Sequence, residues 1–501
     1  MHRSARLAAV SLFLAGCGST VPLAAQSQVQ SGDGLGGPST STSDGSTGGS
    51  SKGALTAPGS TTGGTGTAGT TGSSGAVAPT TTAPVTSTTG GGTVRGTTTK
   101  APLSIGVLLT STSNAQSFGV SQQNTVSERS VDDAVIAAIN EHGGLVGRKL
   151  VPVYAVTDTG SSNWDSDFAA ACATLTQDNH VAAVLGYVFN YVSSFEKCLS
   201  SKGIPHLATG FNVPDREELA KFPLQLDLVV PTIDRRGLLK LENGVADGVL
   251  TPKNKIGLLT DTCPGTPMSL AHVFLPKAKQ LGLDVARTVT ISCPNGNADS
   301  ASAVGALQNA VLQFASSGVD RVIIHASSEG PALLLFSLAA ESQGYRPEYV
   351  VSSLANLDQL HSFAPAAQLK NIHGYGWMPT QDVPPKAYPK PNAPQARCLA
   401  MLKSKRLTPV SGTDFAYAYE FCEAVLVYEQ GLLATGSDST GTKVVGAIKA
   451  LGTSFPSLVN DGGSLFSADR PDAPRFARHL VYQPACQCFT YTGTTRPIPT
   501  S

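Results

Sequence analysis

The stretch VIAAINEHGGLVGRKL, residues 135–150, decides the fold class. Val135, Ala138 and Ile139 continue a helical spacing begun by Val131 and Ala134, which predicts a helix over about 126–142. His142-Gly143-Gly144 breaks it. LVPVYAV (150–156) follows as a short apolar run with the length of a buried strand. LSIGVLLT (103–110) reads as another strand before the helix. Strand, helix, tight turn, strand is a βαβ unit, whose strands run parallel.

The alternation continues outward. Helix 165–177 leads to strand VAAVLG (181–186), and helix 193–202 to strand IPHLAT (204–209). A second run opens with KIGLLTD (255–261). It passes through helix 268–281, VARTVTIS (285–292), helix 301–317, RVIIHAS (321–327) and helix 330–343 to YVVSS (349–353). Such alternation predicts α/β structure with parallel sheets covered on both faces, here two doubly wound Rossmann-like lobes split at VVPTIDRRG (229–237). Beyond it, NIHGYGWM (371–378) reads as an extended crossing. Helices are expected near 395–406, 413–434 and 442–451, and a closing hairpin at 478–483 and 487–492. Doubly wound sheets take ligands outside the carboxyl ends of their strands, so two lobes can share one cleft.

The first hundred residues have another character. From Gln26 to Lys100 the 501-residue chain has almost no large apolar side chain, and Gly, Ser, Thr, Ala and Pro dominate. Such a segment cannot offset its backbone entropy by burial and is expected to be a disordered linker. About seventy-five residues of this kind span about 45–50 Å root-mean-square. Before it, His2, Arg3 and Arg6 precede the short apolar run Leu7–Ala15, the order of a signal peptide. Leu14-Ala15-Gly16-Cys17 resembles a bacterial lipobox, which implies cleavage after residue 16 and lipid on Cys17. An ordinary signal peptide cut near Ala24-Ala25 is the alternative.

Lys and Arg number 35, as do Asp and Glu, a balance that argues against nucleic acid or an anionic surface as the main partner. No apolar run has the roughly twenty residues that span a bilayer. Apart from Cys17, the cysteines are Cys172, Cys198, Cys263, Cys293, Cys398, Cys422, Cys486 and Cys488. An even number after a secretory leader points to disulfides; Cys172–Cys198 and Cys263–Cys293 are the simplest local pairs, though spacing leaves the connectivity open. Cys486-x-Cys488 also has the look of a metal pair, but the leader favours a disulfide. The nine histidines make no H-x-x-x-H pair, no Cys/His cluster has zinc spacing, and residues 436–443 (GSDSTGTK) lack the Gly-Lys-Ser/Thr order of a phosphate loop. No G-x-S-x-G elbow occurs in the folded body. His325, at a strand end, reads as a core histidine. Neither enzyme chemistry, nor a metal, nor a cofactor is expected.

The sequence resembles the leucine/isoleucine/valine-binding family of type I periplasmic binding proteins over about residues 102–495. The segments that carry the resemblance are SIGVLLT…FG (104–119), the Ala-Ile-Asn-x-x-Gly-Gly-x-x-Gly-Arg-Lys pattern within 135–150, residues 181–210, and VDRVIIHASSEGPALLLFSLAAESQGYRP (319–347). The resemblance implies a two-lobed receptor, monomeric and outside the cell membrane, that delivers a small solute to an ABC permease. Lobe 1 would cover 101–230 with about 375–455 returning to it, and lobe 2 would cover 231–372 with about 460–495. Hinges would fall near 229–234, 371–378 and 453–465.

Carried over position by position, the family's ligand contacts fall on Phe118 after the first strand, and on Asn190, Tyr191 and Ser193 after the third. Gly210 and Asn212 follow the fourth strand, and Ser327, Ser328 and Ser353 belong to the second lobe. Ser353 stands where the amino-acid binders carry an acid for the solute's ammonium; Glu329 and Asp261 lie near it. Tyr187, Phe211 and Trp377 join Phe118 and Tyr191 as aromatics available to line a cleft. The solute expected is an amino acid, an amide or a related organic molecule. A sensing or surface-interaction module of the same fold, and a surface enzyme using the cleft, are the other readings.

Overall fold

The computed structural model describes residues 100–111, 125–186, 188–210, 212–436 and 438–500. The strands are β1 (Lys100–Ser111), β2 (Arg148–Asp158), β3 (Val184–Gly186), β4 (His206–Ala208), β5 (Gln225–Asp227), β6 (Lys255–Asp261), β7 (Asp284–Ile291), β8 (Arg321–His325), β9 (Glu348–Ser352), β10 (Ile372–Gly376), β11 (Phe476–Gln483) and β12 (Cys488–Pro497). The helices of the first half are α1 (Glu128–Glu141), α2 (Trp164–Ala173), α3 (Ser193–Ser201), α4 (Arg216–Ala220), α5 (Ile233–Ala246), α6 (Thr266–Ser269) and α7 (Leu275–Gln280). Those of the second half are α8 (Asn297–Ser316), α9 (Glu329–Ser342), α10 (Leu357–Leu360), α11 (Ala366–Leu369), α12 (Pro379–Asp382), α13 (Ala393–Ser404), α14 (Gly412–Thr435) and α15 (Gly441–Lys449).

The αβ turn of the 135–150 stretch forms as its glycines dictate. Gly143, Gly144 and Gly147 all have positive φ, and a Cβ on Gly144 would sit 2.0 Å from Arg148 O. Asn140 fastens the turn, its amide bonding both the N–H and the carbonyl of Leu150 at 2.7 and 2.9 Å.

Two sheets result. The first is all parallel in the order β2-β1-β3-β4-β5. Ile105, Val107 and Leu109 point to one face and share a core with α1 and α14. Leu108 points to the other and packs with Phe168, Cys172 and Phe195 of α2 and α3. The second sheet runs β12-β11-β10-β9-β8-β6-β7, parallel from β7 to β10 and antiparallel in the last two pairings. The segment 371–378, read from sequence as an extended crossing, supplies a full strand: β10 pairs with β9 on one side and β11 on the other. The stretch 229–237, read as a division between lobes, is half helix, since α5 starts at Ile233.

Three passages of chain join the sheets and lie together. Trp377 Nε1 donates to Val229 O at 2.8 Å, Asp461 N donates to Trp377 O at 2.7 Å, and Asn460 Nδ2 donates to Leu228 O at 2.8 Å. Asp472 accepts from Thr232 N and pairs with Arg235. Disulfides join Cys172 to Cys198, Cys263 to Cys293, Cys398 to Cys422 and Cys486 to Cys488. No helix among the described residues is long and apolar enough to cross a membrane.

Candidate functional site

Each sheet has a topological switch point, between β1 and β3 in the first and between β6 and β8 in the second. Ligands of doubly wound folds settle outside such points. The chain brings the two sides of this region into contact. Trp164 N donates to Asn295 O at 3.0 Å, Asp165 N to Asn295 Oδ1 at 3.2 Å, and Asn295 Nδ2 to Asp165 Oδ2 at 3.1 Å. A Cβ on Gly296 would lie 2.3 Å from Ser162 O. The loop after β2 thus meets the loop after β7 backbone to backbone.

On the first sheet's side, the loops after β3 and β4 are locked together. Asn212 Nδ2 donates to Phe189 O at 3.1 Å and to Asn190 Oδ1 at 3.0 Å. Gly210 permits the approach, since a Cβ there would fall 2.2 Å from Val188 O. The hydroxyls of Tyr191 and Ser193 both turn to Glu218 Oε1, at 3.3 and 2.6 Å. Burial, then the carboxylates of Glu196 and Glu218, pushes the Tyr191 phenol far above its ordinary range. Beneath these loops a cavity of about 10 Å³, the size of one water molecule, is lined by Tyr191, Gly210, Asn212, His206, Gln225 and Asp227. His206 Nδ1 faces Glu196 Oε1 at 2.8 Å, while its Nε2 has no partner.

On the second sheet's side the polar groups are committed to one another. Asp261 accepts from Cys263 N at 3.0 Å and Ser327 N at 2.5 Å, and Ser327 Oγ lies 3.2 Å from Thr266 Oγ1. Glu329 accepts from Ser352 N at 2.5 Å, Ser352 Oγ at 2.8 Å and Lys240 Nζ at 3.2 Å. Ser328 is half-buried at the start of α9, and no side-chain hydrogen bond caps that helix. His325 is a core residue. Its Nε2 is 3.2 Å from Ser269 Oγ, its ring packs on Phe274, and burial followed by repulsion from Lys240 and Arg236 holds its pKa well below the usual value.

Sequence reasoning missed a set of buried charges. Glu128 and Asp132 of α1 and Glu420 of α14 line a second cavity of about 10 Å³ with Val107 and Leu108 of β1, Gly186 of β3, Tyr417 and Phe421. Loss of solvation pushes Glu128 up to about 7, against a hydrogen bond from Thr110 N. Burial first, then the charge of Glu128, raises Asp132 and Glu420 well above the carboxylate range. A signal was present: FAYAYEFCEAVLV (415–427) holds two glutamates in an apolar run, with no Lys or Arg between Arg406 and Lys443. Arg236 is also fully buried. Its Nη2 donates to Val213 O at 3.1 Å, while its Nε and Nη1 have no partner. Among the described residues no group of three or more His, Cys, Asp or Glu is arranged to hold a metal ion.

No protein-family model and no curated protein sequence matches the chain. Solved structures do. An ABC transporter substrate-binding protein from Desulfitobacterium hafniense in complex with Leu superposes with TM-score 0.53 at 16% identity, over 78% of this chain and all of that one. A solute-binding protein of an ABC transporter from Rhodopseudomonas palustris BisB5, in complex with 3,4-dihydroxybenzoic acid, gives 0.58 at 12%, over 80% and 98%. A fatty acid ABC transporter substrate-binding protein from Thermomonospora curvata gives 0.54 at 16%, over 81% and 94%. The fold is that of the type I periplasmic binding proteins.

Within this type I fold, Asn190, Tyr191, Gly210 and Asn212 cluster at the strand ends of the first sheet, and Ser327 and Ser328 at those of the second. Ser353 does not join them. Its hydroxyl donates to Asp382 Oδ2 at 2.9 Å and accepts from Trp377 N at 2.7 Å and Met378 N at 3.2 Å, which exhausts its hydrogen-bonding capacity. Ser353 thus ties the segment after β10 to α12. Trp377 is fully buried among the passages that join the two sheets, its Nε1 donating to Val229 O. Phe118, Tyr187, Phe211 and Cys17 lie outside the described residues, as do the leader and the Gly/Ser/Thr segment.

Proposed function

We propose that this chain is a lipid-anchored extracellular receptor that captures a small organic solute between two lobes and hands it to an ABC permease. The observation that carries the reading is that each of two sheets has a switch point and that, among the described residues, three adjacent passages of chain join the sheets. Such a construction opens and closes about a ligand, and binding shifts the balance toward the closed form. The permease then recognises closure, and no covalent chemistry is required. The structural neighbours in complex with Leu and with 3,4-dihydroxybenzoic acid support a small carboxylate-bearing or related organic solute.

In this reading lobe 1 comprises residues 101–230 with about 375–455, and lobe 2 comprises 231–372 with about 460–495. The solute contacts Asn190, Tyr191, Gly210 and Asn212 on one side and Ser327 and Ser328 on the other, with Phe118 covering it. Cys17 carries the lipid and the residues up to 100 are the tether.

Native mass spectrometry of the protein purified from its own cells tests the receptor role. A bound organic molecule, released on denaturation and able to raise the melting temperature when added back, is the expected result. Asn190→Ala should then weaken its binding without unfolding the chain. An empty protein that no amino acid, amide, aromatic acid or fatty acid stabilises would overturn the proposal. Cys17→Ser should move the protein from the membrane fraction or leave its leader uncut; unchanged fractionation and processing would remove the lipid anchor.

A further inference from the structure

One of the four disulfides is unlike the rest. Cys172–Cys198, Cys263–Cys293 and Cys398–Cys422 join residues 26, 30 and 24 positions apart, whereas Cys486 and Cys488 are 2 apart. Among these eight cysteines Cys486 alone is exposed; Cys198 and Cys293 are half-buried and the others buried. The bond lies at the turn between β11 and β12, the edge pair of the second sheet. β11 runs antiparallel to β10 and pairs Val481 with His373, so this turn hangs beyond the amino end of β10. It is at the opposite end of the sheet from the carboxyl strand ends, where a doubly wound fold takes its ligand.

We propose that Cys486–Cys488 is a thiol–disulfide exchange site, which takes electrons from an external dithiol while the fold stays intact. A disulfide stabilises a fold by restricting the unfolded chain, and does so more the longer the loop it closes. By thermodynamic reciprocity, folding protects such a bond from reduction to the same extent. The three long-range bonds have that protection. A bond across a single residue has almost none, and the ladder already pairs Gln483 with Cys488, so the turn is closed without it. The enclosed residue, Gln487, has φ 51°, a left-handed conformation that a residue with a side chain enters at a cost. Opening the ring frees it to leave. An exposed bond that the fold does not protect is the kind that exchanges with thiols.

The exposure of Cys486 sets the order of events. A thiolate of the dithiol attacks Cys486 Sγ along the S–S axis and forms a mixed disulfide. The bond to Cys488 breaks, and its electron pair leaves on Cys488 Sγ, which takes up a proton. The second thiolate of the dithiol then attacks its own partner sulfur in the mixed disulfide, and Cys486 departs as a thiolate. Two electrons have passed: the dithiol is now a disulfide and the pair is two thiols. An external disulfide reverses the sequence and restores the bond. Cys488 is 6% exposed and fixed as the first residue of β12, so it stays two positions from Cys486 throughout. From there it expels a monothiol before a second one arrives, which makes dithiols the effective reductants.

Equilibrating the full chain in mixtures of reduced and oxidised dithiothreitol, then quenching, alkylating and mapping the peptides by mass spectrometry, tests the assignment. Cys486–Cys488 should be half-reduced at a reduced-to-oxidised ratio at least a hundredfold lower than any of the other three bonds requires. At that ratio circular dichroism and the melting temperature should match those of the untreated protein. The Cys486→Ser/Cys488→Ser double variant should fold as the parent does and lose this first reduction step alone. Reduction of the pair together with the other bonds, unfolding as it is reduced, or free thiols at both positions in the untreated protein would each overturn the proposal. The attacked sulfur has its own test, the first step run backwards. Cys488→Ser, which leaves Cys486 free, should take up glutathione from its disulfide at least tenfold faster than Cys486→Ser does. Equal rates would overturn the role of Cys486 as the entry point.

Discussion

Glu423 offers a quantitative test of how α14 is built. It is fully buried, accepts from Ser457 Oγ at 2.8 Å and Leu458 N at 2.5 Å, and so fixes the passage back to the second sheet. Burial outweighs these bonds and pushes its pKa from 4.5 up to about 8. Between those two values the folded chain keeps the proton and the unfolded chain has lost it. Folding then takes up a proton, so the contribution of Glu423 is fully present below about pH 4.5 and is lost as pH rises to about 8. The slope is about 1.4 kcal/mol per pH unit, and the whole swing is on the order of 3–5 kcal/mol. Glu423→Gln removes the titration. One of the two donors then faces an amide NH₂, a cost of about 1–3 kcal/mol that does not depend on pH. Urea denaturation of both proteins at about pH 5 and about pH 8 separates slope from offset. The parent should lose more stability than Glu423→Gln on going to the higher pH, by about that swing. Parallel losses would show that Glu423 is already ionised in the folded protein and that burial does not dominate there.

Three other outcomes follow from particular contacts. Asn295→Ala removes two exposed hydrogen bonds between the loops after β2 and β7, and should speed dissociation of the solute roughly three- to tenfold in stopped-flow, with little change in melting temperature. Gly210→Ala puts a methyl group 2.2 Å from Val188 O, so the loops must part; stability should fall by about 1–3 kcal/mol and solute-induced thermal stabilisation should vanish. Replacing Cys398 and Cys422 by Ser releases a link that closes 24 residues between α13 and α14, and should cost about 3 kcal/mol, read as a lower urea midpoint that reductant no longer shifts further at that pair.

Much of the fold was legible because its signals are local. The helix-to-strand turn at 143–148 is dictated by glycines that must take positive φ, and the β1, β6 and β8 runs are apolar at strand length. The β10–β11–β12 edge was not, because β10 finds its partner β11 about a hundred residues later and the short run 372–376 carries no pairing signal of its own. The site divides in the same way. Asn190 and Asn212 sit on loops that a strand-by-strand reading reaches. The acids of the β1/β3 cavity do not, since Glu128 and Glu420 are almost three hundred positions apart and meet only when α14 packs beside α1. Ser353 is a related case: its place at a strand end is visible in sequence, but the groups of Trp377, Met378 and Asp382 that bond its hydroxyl are not.

The cover of the first sheet carries a consequence for biogenesis. β1 to β5 are complete by Asp227, yet the apolar face formed by Ile105, Val107 and Leu109 is closed by α14, which begins at Gly412. A chain made amino end first therefore exposes that face until nearly two hundred further residues have followed. The second sheet's parallel strands, contiguous from Lys255 to Gly376, finish inside that interval. Assembly thus runs out of chain order, with the later sheet formed before the earlier one is sealed. The interval of exposure is when chaperones have a surface to hold and when the chain is most prone to aggregate.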